Sequence, residues 1–259
     1  MEEPIDCSFA GSYAARVQPF TPGSCVKVPL TEDTQLPDTF TLSAMIWPTQ
    51  PGQGAQTVFS VGAASSGCTL FLGLDGAGRP RIAVRMTDDS WCECVLDSPI
   101  ADRYWVRLSA SVNVAEGSLT LRCSGNESDE ASRAEFTGSA VLKMETMDCL
   151  MIAANETTER QMHFNGKIDN PTVYAGQLDL ETLDEQTDRA PVYACWDFSH
   201  DISSCRVVDL GPNQLTGTLI NFPARAMTGA NWDGSETVSY THLRAHETRH
   251  DLVCRLLLE

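Results

Sequence analysis

The sequence predicts an all-β chain, an antiparallel sandwich or barrel, and three observations carry that prediction. Apolar side chains recur at every second position, turn-forming residues separate these runs, and helical signals collect in only one short stretch. In TFTLSAMIWP, Phe40, Leu42, Ala44 and Ile46 fall on one side and Thr41, Ser43 and Met45 on the other. Leu70, Leu72 and Leu74 repeat the pattern, as do Ile82, Val84 and Met86. The longest run follows Trp105 through Val106, Leu108, Ala110, Val112 and Val114, and Leu119, Leu121 and Cys123 come next. Such alternation places one face of each strand in a core and the other in solvent or against a neighbour. Turn signals lie between: Pro51-Gly52, Asp75-Gly76, Asp88-Asp89, Glu116-Gly117 and Ser124-Gly125-Asn126. Asn165-Gly166 invites a tight hairpin. The helical candidate is 180–188, with Asp179 as cap, Glu181 in the first turn and Leu180 and Leu183 as its apolar face. Residues 125–134 are polar and acidic and read as a mobile loop.

Residues 238–259, VSYTHLRAHETRHDLVCRLLLE, stand apart. His246, Glu247 and His250 spell H-E-x-x-H, which on a helix would pair two imidazoles for zinc with a glutamate as general base, and His242 precedes them by one turn. The run nevertheless resembles a translated sequencing adapter, with Arg249 and His250 where a sample barcode would be read. A zincin helix needs a helical domain around it and a third ligand, and only nine residues follow His250. The expectation is an artefact tail, excluded from fold reasoning, and no zinc peptidase.

The remaining 237 residues suit one large β-domain or two small ones, and carry 15 basic against 32 acidic residues, net −17. So acidic a chain, with no cluster of Lys and Arg, argues against nucleic acid as a partner. No apolar run is long enough to cross a bilayer, so no membrane partner is expected. MEEPIDCSFAG lacks the basic end and apolar core of a secretory signal. Cys7, Cys25, Cys68, Cys92, Cys94, Cys123, Cys149, Cys195 and Cys205 form no C-x-x-C pair. They read as scattered thiols in a reducing cytoplasm, with a Cys195–Cys205 bridge as the lesser alternative.

Residues 40–62 (FTLSAMIWPTQPGQGAQTVFSVG), 102–125 (DRYWVRLSASVNVAEGSLTLRCSG) and 164–183 (FNGKIDNPTVYAGQLDLETL) together resemble the concanavalin A-like lectin/glucanase superfold in its laminin-G-type form. That resemblance implies a jelly-roll sandwich. A narrower one lies in 194–234, carried by Trp196, Asp197, Phe198, Val208, Asp209, Gly217, Asn221, Pro223, Arg225, Thr228, Gly229, Asn231 and Trp232. This stretch is similar to the segment closing the lectin-like domain of N,N-dimethylformamidase-type large subunits. It implies that 195–237 are closing strands and a linker, and that an amidohydrolase centre with iron held by tyrosines and a glutamate lies in a following domain absent here. The expectation is then a metagenomic fragment cut at both ends, one domain over 1–237, with no catalytic residue and no cofactor of its own. Its partners would be the missing catalytic domain and other subunits. Cys195 and Cys205 depart from the family's pattern.

Against that scaffold reading stands a stand-alone carbohydrate-binding module. Asp88, Asp89 and Trp91 form a candidate ligand rim, where carboxylates could hold calcium and the indole could stack on a sugar; Asp169 and Asn170 form a second group. The bland alternatives are a strand-edge aromatic and a turn anchor bonded to backbone amides. Trp47, Trp105 and Trp196 read as core, and Asn231 and Trp232 as part of a domain joint. The glucanase motif E-x-D-x-x-E is absent; Glu127, Asp129 and Glu130 come nearest and read as solvated loop charge. His163 and His200 are too few for a triad, and Arg225 reads as a brace rather than an anion site.

Overall fold

The computed structural model describes residues 23–63, 67–125, 128–135, 147–155, 162–183, 190–221, 223–225, 230 and 256–258. Two antiparallel sheets face each other. The first runs in the order β13 (Arg206–Val207), β14 (Gly217–Ile220), β1 (Cys25–Pro29), β10 (Cys149–Ile152), β3 (Gln56–Ala63), β4 (Gly67–Leu74), β5 (Pro80–Arg85), β6 (Trp91–Val95). The second runs β12 (Val192–Cys195), β11 (Gly166–Ala175), β2 (Thr39–Pro48), β7 (Val106–Asn113), β8 (Ser118–Gly125), β9 (Ser128–Glu135), with β15 (Leu256–Leu258) added beside β11. The chain passes repeatedly between sheets, as a jelly-roll sandwich requires.

The alternation read in the sequence builds the interior. Leu42, Ala110 and Leu121 are aligned across β2, β7 and β8, as are Phe40, Val112 and Leu119. Leu72, Ile82 and Cys94 form the matching row across β4, β5 and β6, and all these side chains are buried. The second face is less solvated than alternation alone suggests. Thr41, Ser43, Ser109 and Ser111 point away from the interior yet are buried, bonded in pairs Thr41–Ser111 at 2.8 Å and Ser43–Ser109 at 3.0 Å. Thr41 also donates to the Gly176 carbonyl and accepts the Leu178 amide, so the segment after β11 lies over this face.

Four sequence expectations need correction. Residues 128–135 are a strand, β9, not a loop: it lies at a sheet edge, where the inward Glu130 and Ser132 stay polar and no apolar alternation marks it. Asn165-Gly166 makes no hairpin, because β10 and β11 belong to different sheets. Gly166 is required instead for closeness: a Cβ there would stand 2.3 Å from the Trp47 carbonyl oxygen and 2.8 Å from Phe164. Trp196 is core, but Trp47 and Trp105 are only half-buried; Trp47 follows the inward Ile46, faces out, and lies 4.1 Å under the Lys167 ammonium. For the helical candidate, Asp179 does receive the Glu181 amide, and Leu180 and Leu183 pack with Tyr174. Helical backbone begins only at Leu183, however, and 184–189 lie outside the described residues.

Candidate functional site

Asp88, Asp89 and Trp91 are brought together at the tip of the β5–β6 hairpin. The Met86 amide bonds the Ser90 carbonyl at 2.8 Å, the Asp89 amide bonds the Met86 carbonyl at 3.0 Å, and Asp89 takes φ 66°. Asp88 turns inward on its own loop, accepting the Ser90 hydroxyl at 2.6 Å and the Ser90 amide at 3.0 Å. Those two bonds, the hydroxyl first, hold its carboxyl below the usual aspartate range. Asp89 lies 3.0 Å from Arg85. Arg85 is the partner of Trp91 across the ladder, and Trp91 stands 46% exposed on the edge strand. The tip thus presents an indole beside a guanidinium and two carboxylates already engaged with protein donors. Arg85 was missed in the sequence; its spacing of four from Asp89 was the available signal.

The buried acids serve the backbone. Asp209, 5% exposed, accepts the amides of Cys195 and Gly211 on one oxygen and of Leu215 on the other, each at 2.7 Å. With Trp196 donating its indole N–H to the Leu215 carbonyl at 2.7 Å, it ties the closing segment to β12. Asp169 is equally buried, inside β11, and accepts the distant Ala230 amide at 2.6 Å, while Asn170 beside it is exposed at φ 48°. Asp75 accepts the Ala77 and Arg79 amides and the Arg79 guanidinium, which together outweigh its burial and lower its carboxyl. Arg225 donates to the Arg206 and His200 carbonyls, a brace within its own domain.

The other candidates disperse. Asp129 is held bidentately by Arg122 at 2.8 Å, and Glu130, its neighbour on a strand and so on the opposite face, accepts the Ser98 amide; Glu127 lies outside the described residues. His163 sits half-buried beneath Gly23, whereas His200 pairs with Asp197. Asn155, which opens the N-x-T sequon Asn155-Glu156-Thr157, is 1% exposed and so poorly placed as a glycosylation acceptor. Asn231, Trp232 and the 238–255 histidine run lie outside the described residues. The described cysteines, Cys195 and Cys205 among them, are free thiols. Among the described residues no three His, Cys, Asp or Glu side chains group as a metal requires. The described tyrosines are committed or apart: Tyr193 donates to the Gln35 carbonyl, Tyr174 is packed beneath Leu180, and Tyr104 is exposed. Among the described residues these side chains do not assemble into a donor set of tyrosines and a glutamate for the iron implied by the resemblance.

A double sheet closed by such anchors, with an aromatic residue at a hairpin tip, is the architecture of a lectin-like domain. The chain belongs to the concanavalin A-like lectin/glucanases superfamily, whose Laminin_G_3 profile matches residues 22–183. It is similar to the N,N-dimethylformamidase beta subunit of Paracoccus aminophilus, 30% identical over 266 residues, and to that of an Alcaligenes species, 29% identical over 271 residues. Each match covers 91% of this chain and 34% of the relative, so the chain spans about a third of the length of the curated relatives it matches. A "putative carbohydrate binding protein" from Bacteroides ovatus ATCC 8483 shares the fold, with TM-score 0.58 at 12% identity over 76% of this chain and 55% of that one.

Proposed function

We propose that this chain is the non-catalytic, lectin-like scaffold domain of an N,N-dimethylformamidase-type amidohydrolase, holding a catalytic domain and contacting other subunits. The observation that carries the reading is the match over 91% of this chain to a third of the dimethylformamidase beta subunits. The chemistry points the same way. Buried acids that a hydrolase would aim at substrate are committed here to backbone amides at Asp169 and Asp209. The eight described cysteines are free thiols, which supports a reducing, cytoplasmic setting.

The test is a chimera in which residues 23–230 replace the matching third of the Paracoccus aminophilus beta subunit, assayed with its partner subunits for N,N-dimethylformamide hydrolysis. A scaffold domain of this family keeps the chimera assembled and active. A chimera that folds but neither assembles nor turns over substrate would overturn the reading.

The exposed Trp91 favours a second reading, a carbohydrate-binding module with a sugar stacked on the indole and calcium, if any, at Asp88 and Asp89. A glycan array with and without calcium separates the two. Reproducible millimolar or tighter binding to one glycan, lost in Trp91→Ala, would establish the module and displace the scaffold.

A further inference from the structure

The two sides of the sandwich end differently. On one side the closing segment stitches the sheets together: Trp196 bridges Asp209 just past β12, and Asp209 accepts the Cys195, Gly211 and Leu215 amides. On the other side the sheets stop at β6 and β9, with no strand beyond either among the described residues. A terminal strand is a template for strand addition, and proteins guard it with inward charge, proline or a bulge. β9 is guarded: Glu130 pairs with the inward Cys123, and Asp129 and Arg133 are salt-bridged on the outer face. β6 has no such guard. Its sequence, Trp-Cys-Glu-Cys-Val, pairs residue for residue with β5 without a bulge and turns thiols inward.

The hydrogen bonds fix which backbone groups are left over. The Leu96 amide donates to Pro80 and the Met86 amide to Ser90, so the hydrogen-bonded pairs between them are Ile82–Cys94 and Val84–Cys92. The N–H and C=O of Trp91, Glu93 and Val95 therefore face away from β5. The side chains of these three residues share the outer face, Trp91 46% exposed, Glu93 exposed and Val95 partly so. Glu93 takes Arg81 on Oε2, from Nε at 2.9 Å and Nη2 at 2.7 Å, which leaves Oε1 to accept another donor.

Charge selects the occupant. A second copy paired antiparallel along the whole of β6 would set Glu93 opposite Glu93, like charges face to face on chains of net −17. We propose that β6 is the acceptor for an extended segment of a different polypeptide, one with a basic side chain opposite Glu93 and apolar side chains opposite Trp91 and Val95. Main-chain hydrogen bonds attach the segment, and Glu93 selects it. This deepens the scaffold reading, on which it rests for the expectation that another subunit is met. A peptide judges the edge and the chimera judges the scaffold, so either can fail alone.

The probe is a fluorescein-labelled peptide, Thr-Ile-Thr-Arg-Thr-Ile-Thr, titrated with the full chain and read by polarisation and by amide hydrogen exchange. Saturating peptide should slow exchange at Trp91, Glu93 and Val95 about tenfold or more and leave β9 unchanged. A peptide with glutamate in place of the arginine should bind at least about tenfold more weakly, and Glu93→Arg should reverse that preference. N-methylating the two isoleucines, whose amides face β6 in this register, should abolish binding. Val95→Pro removes an outward N–H and no bond to β5, and should weaken binding about tenfold as well. Absence of binding at millimolar peptide, equal affinity for the arginine and glutamate peptides, binding indifferent to N-methylation, or protection confined to other strands would each overturn the proposal. So would protection of Trp91, Glu93 and Val95 through a dimer of the peptide-free chain, which would make a second copy the occupant. Protection at Glu93 and Val95 also separates this use of the hairpin from a sugar stacked on Trp91, which covers neither amide.

Discussion

Removing the Asp209 carboxylate is the perturbation whose cost is best defined by the structure. Its two oxygens satisfy three backbone amides, those of Cys195, Gly211 and Leu215, at 2.7 Å each, with the side chain 5% exposed. In Asp209→Ala these donors lose their acceptor together. A buried donor left unmade costs about 1–2 kcal/mol beyond the lost bond's small net worth, so the variant should lose roughly 3–6 kcal/mol, less if water enters. Asp209→Asn keeps an oxygen for one side of the cluster and turns an NH2 toward the other, and should lose about 1–3 kcal/mol. Urea denaturation followed by tryptophan fluorescence reads both, because Trp196 is bonded to Leu215 inside the same cluster. Asp129→Ala, at an exposed carboxylate held by Arg122, is the control and should leave the midpoint in place. If Asp209→Ala unfolds at the wild-type midpoint, the carboxylate is not an anchor, and its burial would have to be explained by another use.

The remaining predictions concern backbone closeness, a histidine and two thiols. Gly166→Ala must push its new Cβ off the Trp47 carbonyl oxygen 2.3 Å away, and should cost roughly 2 kcal/mol or more in urea midpoint; a neutral substitution would refute the packing there. Burial lowers the pKa of His163 below its ordinary 6.5, so the unfolded chain takes up its proton first as pH falls. His163 therefore contributes stability in full above about pH 6.5 and loses it as pH drops toward the folded pKa. His163→Gln should flatten that part of the pH–stability curve, and an identical slope in wild type and variant would contradict the assignment. Burial pushes the Cys123 and Cys68 thiols up to about 12, so at pH 8.5 iodoacetamide should modify both at least about tenfold more slowly in the native chain than in urea. Mass spectrometry checks this, and equal rates would count against it.

What could be read from the sequence follows from where each strand sits. β2, β5, β7 and β8 have one face in the interior and carry the alternation openly, so their runs were visible. β10 is buried on both faces, and a run such as Cys149–Ile152 has no period to detect. β9 hides for the opposite reason, since its inward Glu130 bonds the Ser98 amide and its outward Asp129 bonds Arg122. Asp88, Asp89 and Trp91 were legible as a group because two carboxylates and an aromatic fall on one short turn. That Asp88 would bond Ser90 and Asp89 would bond Arg85 depended on hairpin geometry. The anchoring by Asp209 was not legible at all: its three amides come from positions 195, 211 and 215, which only the folded closing segment brings together.

The most direct test of the account is to incubate the purified chain, with ferrous iron supplied, with N,N-dimethylformamide and to follow formate by proton NMR. A sandwich whose buried carboxylates are bound to its own backbone should release no formate above the protein-free blank. Turnover proportional to protein concentration, abolished by Asp88→Ala at the exposed hairpin tip, would place reaction chemistry in this domain and contradict the account.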